Sequence, residues 1–214
     1  LAISYLPHSF DKINVINLTI SGCWFENNYA PTDGGAVHID KGQNNTGITI
    51  DNCDFVNNNA GARAGAVLSQ TPNVVIINSR FNENDAPSGG AVCWDGVGGD
   101  MSYSNFTKNT ATNGGAVFTT GNANVKISNS RFADNRAVEG GAVYFNNVAY
   151  GDIINSTFTS NNASYGGAVF VNDCVDMDIA GSNFTSNVAG EDGGAVYANN
   201  TNNGLIEDSR FESN

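Results

Sequence analysis

The sequence predicts an all-β chain folded as a right-handed parallel β-helix, a solenoid with one coil per ~26-residue repeat. Three observations lead there. A two-part motif recurs in fixed register along nearly the whole chain. Helix-forming residues are scarce, and the turn formers Asn and Gly keep fixed places within the repeat.

The repeat comes first, because internal periodicity decides every later assignment. Phe is followed three residues later by Asn at Phe25/Asn28, Phe55/Asn58, Phe81/Asn84, Phe106/Asn109, Phe132/Asn135, Phe158/Asn161, Phe184/Asn187 and Phe211/Asn214. Successive Phe residues are 30, 26, 25, 26, 26, 26 and 27 positions apart. Ala stands two residues after each of the first seven Asn residues. A Gly-Gly-Ala-Val segment follows, ending at Val37, Val92, Val117, Val143, Val169 and Val196; the second copy reads Ala64-Gly65-Ala66-Val67. Five residues before each Phe lies Ile, or Met101 in the fourth copy, and two residues before it lies Ser or Cys.

A leucine-rich repeat has a similar first half and a similar period. Here the leucine positions hold almost no Leu, and Gly-Gly-Ala-Val replaces a helix pattern, so the β-helix is the favoured reading. Short alternations such as Val74/Ile76 and Val125/Ile127 read as strands of two to five residues. Glycine pairs and Asn supply positive φ at the corners. Equivalent residues then stack about 4.8 Å apart, with the Ile and Phe rows inward and the Ser/Cys row where space is tight. Asn28, Asn58, Asn84, Asn109, Asn135, Asn161 and Asn187 are expected to form an amide ladder at a turn, where Asn tolerates the left-handed conformation. Residues 1–15 fit the register poorly and read as a degenerate first coil or a cap. Residues 16–214 read as about seven coils, a rod roughly 35 Å long and a fragment of a longer chain.

Composition agrees. Only 14% of the 214 residues are charged, against roughly 25% in ordinary soluble domains. There are 34 Asn and 25 Gly but 5 Leu, and the 40% apolar content argues against disorder. The net charge of −12 is the wrong sign for nucleic acid or an anionic membrane. No apolar run is long enough to span a bilayer, so direct membrane insertion is not expected.

G-G-A-[ILV] alternating with F-x-x-N resembles the repeat of chlamydial polymorphic membrane proteins and of adhesin-like proteins of methanogenic archaea. Asn155 to Val169 is closer to the second type. The resemblance covers the chain from about Leu18 onward. It implies a secreted, cell-surface β-helical stalk, non-enzymatic, whose partners are a host or neighbouring cell surface, a glycan or a protein. It transfers no catalytic residue, cofactor or metal.

The rival readings are a carbohydrate-active β-helix enzyme and a phage-type fibre. An enzyme needs clustered carboxylates and loops that wall a cleft, whereas coil length here barely varies. Asp173, Asp176 and Asp178 are the best acidic cluster, with Asp152 one coil back. Lys126 falls between Asp100 and Asp152, so this row reads as an outward charge ladder. Arg80, Arg131 and Arg210 read as a solvated row. His8 and His38 lack metal-site partners, and Gly96–Asp100 resembles a single Ca²⁺ nonapeptide unit. The residues after Gly-Gly-Ala-Val include Phe118, Tyr144, Phe170 and Tyr197, a candidate ligand-facing aromatic row on the outside; the alternative is that these rings only cover the sheet or pack inward with Ala. Cys23 and Cys53 share one row on neighbouring coils, close enough for a disulfide or for two stacked free thiols. Seven N-x-[ST] sequons begin at Asn17, Asn44, Asn105, Asn155, Asn162, Asn183 and Asn199, little above the number expected by chance.

Overall fold

The computed structural model describes residues 17–41, 46–121 and 124–214. The proposed cap (1–15), His8 and the sequon at Asn44 lie outside these residues. Each coil contributes one short strand to each of three parallel sheets. The Ile sheet has eight strands, from Thr19–Ser21 to Leu205–Glu207. The Phe sheet also has eight, from Trp24–Glu26 to Arg210–Glu212, and the Val sheet has seven, from Val37–Ile39 to Val196–Asn199. Strand order follows coil order throughout, and the register pairs like with like: Ile50 with Ile76, Phe55 with Phe81, Val67 with Val92.

Alternation along these strands sends the Ile, Phe and Val rows into one continuous core. Neighbouring Phe rings from Phe25 to Phe211 stack at 4.6–4.8 Å and within 8° of parallel. The strand spacing imposes this distance, and each ring sealed from water contributes about 2 kcal/mol.

Three left-handed corners recur in every coil, and five coils add a fourth, four residues after Val, at Gly96, Gly121, Asn147, Asp173 and Asn200. Of the three, one is three residues before Phe and one two residues after it; the third is the first glycine of Gly-Gly-Ala-Val. The ladder Asn therefore does not itself adopt positive φ, contrary to the sequence expectation. The residue before it does: Asn27, Asn57, Glu83, Lys108, Asp134, Ser160 and Ser186, at φ of 52–57°. These side chains are exposed, so the corner residue points outward and the next one is aimed into the coil.

The two glycines have separate reasons. Gly114 is left-handed, at φ 63°. Gly115 is not, but a Cβ there would lie 2.1 Å from the carbonyl oxygen of Gly141 on the next coil. The second copy places Ala64 at φ 55° in the first position.

Candidate functional site

Inside the Phe-sheet corner the asparagines form an unbroken ladder. Asn84 Oδ1 accepts from Asn58 Nδ2 at 2.9 Å and from the Asn58 backbone N–H at 3.0 Å. Asn84 Nδ2 donates to the Phe55 carbonyl and to Asn109 Oδ1, each at 3.0 Å. The same pattern links Asn28 through Asn187 to Asn214. Asn58 to Asn187 are fully buried, and this network satisfies the buried amides. Their place is the coil interior, where no ligand reaches.

The Ser/Cys row works the same way. Ser104 Oγ donates to the Ser102 carbonyl at 2.9 Å and accepts the Ser79 N–H at 3.2 Å. Cys53 repeats this with sulfur, donating to the Asp51 carbonyl at 3.3 Å and accepting the Cys23 N–H at 3.5 Å. Both cysteines are free thiols, which corrects the disulfide reading. Parallel stacking in the same rotamer separates equivalent atoms by about 4.8 Å, far beyond the ~2.05 Å of an S–S bond. Cys93 and Cys174 are also free and buried.

The aromatic row requires a second correction. Phe118, Tyr144 and Phe170 project from the outer side of the Val sheet, away from the main core. They are nevertheless only 8%, 7% and 6% exposed, in a satellite cluster with Ala64, Leu68 and Cys93; Tyr197, at its end, is partly buried. The left-handed glycine folds the preceding residues back over the sheet: a Cβ on Gly140 would meet Tyr144 Cβ at 3.2 Å. The Tyr165 ring lies 5.8 Å from that of Tyr197. Burial, with help from Glu139, pushes the Tyr144 hydroxyl up to about 12. These rings cover the sheet and offer no open strip to a ligand.

Over the early coils charged groups provide the cover, and no motif in the sequence marks them. Arg63 forms a fork with Asp33, at 2.9 and 2.7 Å, and also pairs with Asp95. Gln70 Nε2 donates to Asp95 at 2.7 Å. The Arg63 hydrogen bonds are the main reason that Asp33 sits below the ordinary carboxylate range. The signal available was register: Asp33 and Arg63 both lie four residues before the Val of their coils.

The outward acidic row is in register as expected, with Asp100 beside Lys126, Lys126 beside Asp152, and Asp152 beside Asp178. Burial, then the neighbouring Asp178, raises Asp152. Asp173 instead accepts from Asn172 and Asn200. Among the described residues no group of three or more His, Cys, Asp or Glu could hold a metal ion. Arg80 pairs with Asp54 and Arg210 with Glu212; Arg131 is exposed. His38 begins the outer row beside Leu68, with its Nε2 buried and unpaired. No helix is long and apolar enough to cross a membrane among the described residues.

The family model for the right-handed β-helix region matches residues 64–214. The chain belongs to the right-handed β-helix family. Comparison with curated proteins and with solved structures gave no match. The β-helix family includes adhesin-like and carbohydrate-active proteins alike, so membership fixes the solenoid and leaves its use to the outer surface.

Proposed function

We propose that this β-helix is a non-enzymatic, adhesin-like stalk displayed outside the cell, attaching to a neighbouring or host surface through glycan or protein contacts. The observation that carries the reading is the constancy of the coil. Six of the seven steps are 25–27 residues, and the buried polar residues are spent on stacking one coil on the next. A coil so regular presents the same few outward positions again and again, which suits many weak contacts made together. The motif resemblance to surface stalks points the same way.

The carbohydrate-enzyme reading rests on Asp152 and Asp178, adjacent carboxylates of which one is raised by its surroundings. The stalk is tested by coating beads with the protein and measuring retention on cell layers and glycan arrays against bare beads. Retention should rise more steeply than linearly with coating density. Equal retention of coated and bare beads on every surface would sink the adhesive reading.

A further inference from the structure

Asparagine occupies two kinds of place in this rod, and the repeat keeps them apart. The ladder Asn is followed two residues later by Ala in every coil where that position exists, so it is never a glycan acceptor. The six sequon asparagines among the described residues, Asn17, Asn105, Asn155, Asn162, Asn183 and Asn199, are all exposed. Asn199 uses its Nδ2 on Asn172 Oδ1 at 2.7 Å, and Asn17 donates its backbone N–H to the Thr46 carbonyl at the edge of the first coil. The other four have no side-chain hydrogen bond among the described residues.

Asn105 and Asn183 stand on one outward row of the Phe sheet, linked through Arg131 and Thr157, and so about 14 Å apart. Strand alternation places the hydroxyl of Thr107 or Thr185 beside each on the same face. Asn155 sits at the corner before the strand of Phe158, and Asn162 opens the strand that follows the next corner, Ser160. The surroundings differ from the rest of the chain: residues 153–172 and 179–190 contain no charged residue, although the chain carries a net −12. The outer Phe-sheet face of these two coils is hydrated by hydroxyls and amides alone.

We propose that Asn105, Asn155, Asn162 and Asn183 are N-glycan attachment sites, with Asn105 between Arg80 and Arg131 on its row and the glycans of the other three clothing the uncharged flank of the Phe sheet. The proposal rests on the extracellular reading above. The donor would be a lipid-linked oligosaccharide phosphate. Asn Nδ2 bonds to its anomeric carbon as that carbon's bond to the phosphate oxygen breaks. The lipid phosphate leaves with the electron pair, and the amide proton passes to a base of the transferase. Transfer takes place on the unfolded chain, which a fold of non-local parallel pairings leaves open for longer than a helical one. The folded coil then tolerates the product because each amide already faces solvent.

The test is secretion of the chain from a eukaryotic host, with a flexible tail carrying one control sequon, followed by intact mass and glycopeptide mapping. Glycan at three or four of the four sites is expected. Replacing all four by Gln should reduce the mass by that of the glycans mapped to these four sites and leave the tail glycan in place. A glycosylated tail with two or fewer of the four sites occupied overturns the proposal. Bead retention measured on the same two preparations separates the claims. Glycans without retention sink only the adhesive reading, and retention with bare sites sinks only this one.

Discussion

Two asparagine ladders run along this rod, and they differ in almost everything except residue type. The inner one joins Asn28 to Asn214 at the Phe-sheet corner, buried from Asn58 to Asn187, with each Nδ2 from Asn28 to Asn187 donating to the following coil. The outer one, at the end of the Val sheet, joins Asn146, Asn172 and Asn199. It runs the other way, with Asn172 donating to Asn146 at 3.1 Å and Asn199 to Asn172 at 2.7 Å. Water can replace the outer amides and cannot reach the inner ones. The contrast teaches that burial, more than the hydrogen bonds themselves, sets what a ladder contributes.

The largest expected effect follows from breaking the inner ladder. Asn109→Ala removes the acceptor of the Asn84 N–H and Nδ2 and the donor to the Phe81 carbonyl. Leaving these buried groups unpaired should cost about 4 kcal/mol, read as a lower midpoint in urea unfolding.

Next comes the glycine corner, where the sequence performs its own control. Gly114→Ala would put a Cβ 2.1 Å from the Val117 carbonyl oxygen at positive φ, for a loss of about 2–3 kcal/mol. Ala64 already occupies the equivalent place at φ 55°, so Ala64→Gly should stabilise by about 1 kcal/mol. Loss of stability in the second variant would show that the Ala64 methyl, packed in the satellite cluster, outweighs its backbone strain.

The inner ladder was legible because it occurs in every coil: F-x-x-N repeated eight times leaves one register and one inward face. The outer ladder occupies three coils, with Thr120 and Asp95 in the earlier places, and is lost among 34 asparagines. The aromatic row was assigned its correct side, since alternation opposes it to Val. Its burial was not legible, because the cover comes from a glycine fold-back and from side chains such as Tyr165 and Arg63, which vary from coil to coil. The thiol row shows the same limit: spacing brought Cys23 and Cys53 together, but stacking in a shared rotamer keeps their sulfurs apart.

The Arg63 cluster gives a smaller, pH-dependent effect. Asp33 is held below its unfolded value of about 3.9 chiefly by hydrogen bonds from Arg63. Its contribution is therefore complete above that value and lost as pH falls through the folded pKa. Asp33→Asn should lower stability by about 1 kcal/mol at pH 7 and flatten the acid limb of a stability–pH curve. An unchanged acid limb would mean that other carboxylates govern acid unfolding. Smallest of all, Asn172→Ala in the outer ladder should lower the unfolding free energy from urea titration by less than about 0.5 kcal/mol. A loss approaching that of Asn109→Ala would erase the distinction between the two ladders.

The claim that the coils serve attachment and no reaction is tested most directly by incubating the folded protein with a panel of polysaccharides. New reducing ends and unsaturated products would be followed over hours. The predicted result is no release above the rate with buffer. Release that disappears in Asp152→Asn, while that variant unfolds at the same urea concentration as the parent, would contradict the account and place an active site on the outer Ile-sheet row.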